Sequence, residues 1–153
     1  MSELREVELR VFVEAVTHYF SQSTREAATI RSAWLSDAVL PGYPYTGLIT
    51  CAGQFQGCVH FSAPRELLRA LLVEWSEHDM SEANLLDAVG EIANTIAGNA
   101  RRHFGRGLEI SVPVKLAGPE ARIKAAVRAR PFVIALNWRG HEAAVVVDIA
   151  PTA

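Results

Sequence analysis

The stretch LLDAVGEIANTIAGNARRHFGRG, residues 85–107, has the apolar spacing of one long helix, yet it carries glycines at 90 and 98. On a wheel of about 100° per residue, Leu85, Leu86, Val89, Ile92, Ala93, Ile96, Ala97, Ala100 and Phe104 share one broad arc. Asn84, Asp87, Glu91, Asn94, Thr95, Gly98, Arg101 and Arg102 share the other. The first arc is a buried face and the second an exposed one. A glycine inside a helix costs about 1 kcal/mol against alanine, so each needs a reason. Gly90 lies at the border of the apolar arc, where close packing on a neighbouring element explains it as well as docking does. Gly98 lies within the polar stripe and packs nothing there, which favours a surface that another molecule's backbone approaches closely. By periodicity alone, Glu91 and Asn94 read as part of a solvated face.

Outward from this helix, Leu9, Phe12, Val13, Val16, Tyr19 and Phe20 recur at helical spacing and predict a first helix over residues 5–24. IRSAWLSDAV (30–39) reads as a strand, stopped by PGYPY (41–45), because proline cannot donate to a central ladder. GLITCAG (47–53) and GCVHFSA (57–63) predict a hairpin around Gln54 and Phe55. Pro64 opens a second helix bearing Leu67, Leu68, Leu71, Leu72 and Trp75, and Asp79 or Ser81 caps the third. LEISVPVKL (108–116), ARIKAAVRA (121–129), FVIALNW (132–138) and EAAVVVDIA (142–150) read as strands, the last two joined at Arg139-Gly140. This order is neither strict β-α-β alternation nor a helical bundle. It predicts an α+β fold, a largely antiparallel sheet with long helices packed on it, as a single domain over residues 1–153.

Half of the 153 residues are hydrophobic, enough to bury a substantial core. A formal charge of −2 carries no polyanion-binding signature, and ARRHFGRG (100–107) is too small a basic patch to point to nucleic acid. No run approaches the ~20 apolar residues of a membrane span. MSELREVELR lacks a signal-peptide core, so the expected compartment is the cytoplasm. Cys51 and Cys58 flank the turn GQFQG, where a tight hairpin would set them opposite one another. A disulfide is thus geometrically conceivable, although a reducing compartment favours thiols. Their spacing is not that of a zinc finger, and His18, His60, His78, His103 and His141 form no local ligand pair with them, so no metal site is expected. A Gly-x-Ser-x-Gly elbow, a Walker A loop and a His-Glu-x-x-His pair are all missing from the sequence.

AVGEIANTIAGNA (88–100) resembles the signature helix of the CheC/CheX/FliY group of chemotaxis phosphatases, CheX in particular. That helix is marked by a Glu-x-x-Asn pair followed by small residues ending Ala-Gly-Asn or similar. FVEAV (12–16), the hairpin GLITCAGQFQGCVHFS (47–62) and the strand-rich C-terminal third extend the resemblance over nearly the whole chain. The resemblance implies hydrolysis of the aspartyl phosphate of a CheY-type response regulator, with Glu91 and Asn94 as the catalytic pair. Asn94 would hold the attacking water in line with phosphorus, as a glutamine does in small GTPases. An amide suits that task because it both accepts and donates hydrogen bonds. A solvent-exposed carboxylate is a poor base toward water at pH 7, so Glu91 is expected to dock on the lysine of the regulator's phosphorylation site.

On this resemblance the chain needs no cofactor of its own, the magnesium ion belonging to the regulator. Asp87, Thr95, Gly98, Arg101 and Arg102 share the exposed face and are candidate partner contacts, though Arg101 and Arg102 equally complement the dipole at the helix C-terminus. Some relatives carry a second such helix. The corresponding positions here, Glu14-Ala15-Val16-Thr17, have threonine where asparagine would be needed, so one site per chain is expected. A homodimer is also implied, with no strand announcing itself as the joining edge. The competing reading is a non-catalytic module of the same fold that binds a phosphorylated regulator or a flagellar-switch component.

Overall fold

The computed structural model describes residues 4–35, 42–118 and 131–152. Three helices, α1 (Glu6–Ser23), α2 (Arg65–Glu74) and α3 (Glu82–Phe104), pack on a sheet of β1 (Thr29–Leu35), β2 (Tyr45–Gly53), β3 (Phe55–Ala63), β4 (Leu108–Ile110), β5 (Val114–Ala117), β6 (Phe132–Trp138) and β7 (His141–Pro151). The strand order is β1-β6-β7-β3-β2-β4, with β5 also on β2. Every described pairing is antiparallel, giving the expected α+β fold.

Local chemistry sets the ends of the elements. Of the two candidate caps, Ser81 is the one that begins α3, its hydroxyl accepting from the Asn84 amide at 3.3 Å. Helix α2 starts at Arg65, and Pro64 stands just before it in extended conformation. The β6–β7 turn falls at Arg139 and Gly140, with φ of 52° and 82°, the left-handed pair that two-residue hairpin turns require. Arg139 lies over the Trp138 ring and pairs with Glu74 and Glu26, tying this hairpin to the end of α2.

Three expectations change or fall short. The run 108–116 is two strands: β4 and β5 both pair with β2, but the ladder breaks between them at Pro113, which has no amide hydrogen. Ser111 bridges the break, its hydroxyl accepting from the Thr50 amide at 2.9 Å. The strand expected over 30–39 matches β1 as far as Leu35, while residues 36–39 and the strand expected at 121–129 lie outside the described residues.

The hairpin register also overturns the idea that the cysteines face each other. Cys51 pairs with Gly57, and Cys58 with Thr50. A one-residue offset sends the two side chains to opposite faces of the sheet, and no disulfide joins them. Burial pushes the Cys51 thiol up to about 11, which keeps it protonated and inert.

One apolar cluster fills the space between the helices and the sheet, with Phe12, Phe20, Ile49, Phe61, Leu68, Ile92, Ile96 and Trp138 all fully buried. Helix α3 lies directly on β2. A Cβ added to Gly47 would stand 2.4 Å from the Val89 carbonyl oxygen and 2.9 Å from the Ala93 Cβ. Ala93, Ala97 and Ala100 keep the inward face of α3 thin enough for that approach. Its N-terminus is anchored by Glu82, which accepts from the Tyr45 hydroxyl at 2.7 Å and from Arg65. These partners hold the Glu82 carboxyl below its usual range, the Tyr45 hydrogen bond being the main cause.

The opposite face of the sheet buries His60 between Leu48 and Val146, and among the described residues neither ring nitrogen has a hydrogen-bond partner. Burial pushes its pKa down to about 4 from 6.5. The unfolded chain therefore binds the proton first. Stability is full above pH 6.5, falls as pH drops from 6.5 toward 4, and levels off below. Between pH 7 and 5 the loss is expected to be roughly 2 kcal/mol. Urea denaturation at the two pH values checks this, and His60→Leu should remove that part of the difference.

Candidate functional site

The candidate residues lie on the outer face of α3, where the predicted arcs hold. Leu85, Val89, Ile92, Ala93, Ile96, Ala97 and Ala100 are buried, while Leu86 and Phe104 are partly buried. Phe104 closes the arc by packing tilted against Phe12 and edge-to-face against Phe55, at ring separations of 5.6 and 4.9 Å. Glu91 is exposed; Asn94, Thr95 and Gly98 are half-buried along the same ridge.

The hydrogen bonds on this ridge divide its members. Asp87 is tied to Lys115 of β5 at 2.5 Å. Thr95 donates its hydroxyl back to the Glu91 carbonyl at 2.9 Å. Arg101 donates from Nε to the Leu108 carbonyl at 3.0 Å, closing the turn from α3 into β4. Among the described residues, neither the Glu91 carboxylate nor the Asn94 amide makes a hydrogen bond or ion pair. Residues three apart on a helix are neighbours, with Cβ atoms about 5–6 Å from each other. An acceptor pair of oxygens and an uncommitted amide thus sit side by side, facing outward.

The two glycines have different surroundings. Gly90 is buried, and a Cβ there would meet the Lys115 stem at 3.0 Å, so it makes room for that side chain to cross α3 on its way to Asp87. Close packing, one of the two readings open from the sequence, accounts for it. The neutralised Asp87 leaves Glu91 as the unpaired acid on this stretch of the ridge. Among the described residues, nothing outside the backbone of its own helix lies within 4 Å of the position a Cβ on Gly98 would occupy. Among the described residues nothing requires glycine there, so Gly98→Ala should raise stability by about 0.5–1 kcal/mol. Thermal unfolding measures it; a loss of stability would mean that an internal constraint exists.

A cleft of about 360 Å³ borders the ridge, lined by Glu91 and Thr95 with Tyr19 and Ser23 of α1 and Trp75. The Trp75 indole donates to the Ser23 carbonyl at 3.0 Å and fixes the far wall. Burial raises the Tyr19 phenol well above its usual range, so it stays neutral beside Glu91. The corresponding stretch of α1, Glu14 to Thr17, is arranged differently. Ala15 and Val16 are buried, and the Thr17 hydroxyl is spent on the Val13 and Glu14 carbonyls. Among the described residues no three His, Cys, Asp or Glu side chains are grouped as a metal site, and no helix is long and apolar enough to cross a membrane. Two features were not anticipated: the Lys115–Asp87 tie, and a second cleft farther along the groove between α1 and α3.

Solved structures with this architecture are numerous. A CheC-like superfamily protein from Shewanella sp. PV-4 superposes with a TM-score of 0.83 at 16% identity, covering 98% of this chain and 100% of that one. The chemotaxis protein CheX from Vibrio vulnificus gives 0.75 at 18% identity, covering 94% and 98%. CheX from Borrelia burgdorferi, solved in complex with CheY, BeF3 and Mg²⁺, gives 0.70 at 15% identity, covering 95% and 99%. No curated protein sequence matches the chain. The family model described as chemotaxis phosphatase CheX matches residues 45–137, from the first residue of β2 to the penultimate residue of β6 and including all of α3. The chain belongs to the CheX family of chemotaxis phosphatases.

Proposed function

We propose that this chain hydrolyses the aspartyl phosphate of a CheY-type response regulator, presenting the α3 ridge to the regulator's active site. The observation that carries the reading is the uncommitted pair, Glu91 and Asn94, on a ridge where Asp87, Thr95 and Arg101 are already engaged. The family supplies the reaction class. The Borrelia relative supports the partner class, having been solved with CheY and beryllofluoride, which stands in for a phosphoryl group.

In the reaction, a water oxygen bonds to phosphorus as the bond from phosphorus to the aspartyl oxygen breaks. The products are the regulator's aspartate, inorganic phosphate and a proton. A loose transition state leaves little covalent work for the enzyme and puts the weight on positioning. Asn94 accepts a hydrogen bond from the attacking water through Oδ1, holding it in line, while Nδ2 donates to a neighbouring oxygen. Glu91 pairs with the regulator's active-site lysine and sets the depth of insertion. The regulator brings its own Mg²⁺, and this chain adds no cofactor. Gly98, one turn beyond Asn94, lets the regulator's backbone lie flat against the helix.

The test is release of inorganic phosphate from a phosphorylated CheY-type receiver in Mg²⁺, with the chain at a small fraction of the receiver concentration. Release faster than the receiver's own decay, over many turnovers, is expected. Decay at the unassisted rate would sink the reading.

A further inference from the structure

The groove between α1 and α3 holds a second cleft, of about 270 Å³, lined by Glu14, Ala15 and His18 of α1 and by Asn99, Arg102 and His103 of α3. The two helices run antiparallel, since Phe12 meets Phe104 while Tyr19 borders the cleft of Glu91. Arg102 lies eight residues beyond Asn94, about 12 Å along the helix axis. Asn99 follows Thr95 by one turn, and Gly98 between the two clefts contributes no side chain of its own. Both clefts therefore fall within the footprint of one partner, roughly 800 Å² on each side in an ordinary interface.

The polar groups of this cleft are uncommitted. Arg5, Arg10, Arg25, Arg31, Arg65 and Arg139 join ion pairs within the chain, whereas Arg69, Arg101, Arg102 and Arg106 join none among the described residues, and of these four only Arg102 lines this cleft. Arg102, exposed on the ridge, joins none among the described residues, nor do the side chains of Glu14, His18 and His103. A guanidinium, two imidazoles and an amide share the cleft with a single carboxylate. That inventory is donor-rich and favours an anionic guest with planar geometry, to which an arginine fork is matched.

We infer that this cleft is a second docking subsite for the same receiver, taking an acidic side chain on the receiver's surface. Arg102 is the principal contact, and Glu14 opposes it electrostatically. This inference rests on the receiver being the partner, but not on hydrolysis. It gives the groove a polarity: a partner lysine at Glu91 and a partner carboxylate at Arg102, which fixes the direction in which the receiver lies along α3.

The experiment is calorimetric titration with a beryllofluoride-activated CheY-type receiver, using wild type, Arg102→Gln and Glu14→Gln, at low and at high salt. Both positions are polar and on the surface, so the variants should fold, and unchanged thermal unfolding confirms it. Arg102→Gln is expected to weaken binding by about three- to tenfold and to flatten its salt dependence. Glu14→Gln is expected to tighten it by about two- to threefold. Those opposite signs identify an anionic guest. Unchanged affinities, or reversed signs, overturn the inference, as does a chain that binds no activated receiver. If wild type binds the receiver without hydrolysing its phosphate, the phosphatase reading fails and the subsite stands. If wild type hydrolyses it and Arg102→Gln binds normally, the subsite alone fails.

Discussion

Asn94→Ala is expected to reduce turnover of a phosphorylated receiver by about 100-fold or more, while changing affinity for the activated receiver by less than about threefold. The size follows from the assigned role. Without the amide, in-line water must be found by diffusion in a crowded site, and the advantage of positioning is lost. Affinity survives because Glu91 and the surrounding ridge still make contact. The fold survives too: Asn94 is half-buried, makes no internal hydrogen bond, and gives way to a better helix former. Glu91→Gln should behave in the opposite way, raising KM more than it lowers kcat, because it removes a charge pair without removing the water's partner. Comparable losses in kcat and affinity for Asn94→Ala would mean that Asn94 anchors the complex instead of positioning water.

The second large effect is on the fold beneath the site. Gly47→Ala places a methyl 2.4 Å from the Val89 carbonyl oxygen, with the Val89 carbonyl carbon and the Ala93 Cβ each 2.9 Å away. These are helix backbone and a side chain with no rotamer, so no flexible group can yield. The helix has to move. Overpacking of this kind costs about 1–3 kcal/mol, which lowers Tm by several degrees for a chain of this size. The displaced turn contains Glu91, between Val89 and Ala93, so receiver turnover should fall along with stability. Thermal unfolding of Gly47→Ala beside Gly98→Ala gives the contrast: the same substitution lowers Tm where α3 meets the sheet and raises it where α3 meets solvent. Equal effects at both positions would contradict the packing described for α3.

The helix that decides the fold was legible because its signal is local and repeated. Each turn of α3 carries the same division between apolar and polar, so single departures such as Gly90 do not blur it. The hairpin strands were legible for a related reason, since GLITCAG and GCVHFSA are bounded by turn residues. Their register was not. Turn length differs by one residue between hairpins that look alike in sequence, and that one residue turns Cys58 away from Cys51. The break at Pro113 was hidden because LEISVPVKL alternates well on both sides of it, and only the shared partner β2 shows that two short strands are present.

At the site, Glu91 and Asn94 stood out through family resemblance, because a Glu-x-x-Asn pair on a polar arc is otherwise ordinary. What separates the members of that arc is long-range. Asp87 is neutralised by a lysine 28 residues away in sequence, and Gly90 is explained by the same lysine. The Arg102 cleft needs α1 laid antiparallel against α3, which no spacing within either helix encodes.

Whether Asn94 stands at the phosphoryl group is read from a crystal structure of this chain bound to a CheY-type receiver carrying beryllofluoride and Mg²⁺. The Asn94 amide is expected at hydrogen-bond distance, about 3 Å, from a water in line with beryllium, with the Glu91 carboxylate on the receiver's active-site lysine. A receiver seated elsewhere on the chain, leaving Asn94 in solvent, would contradict that placement.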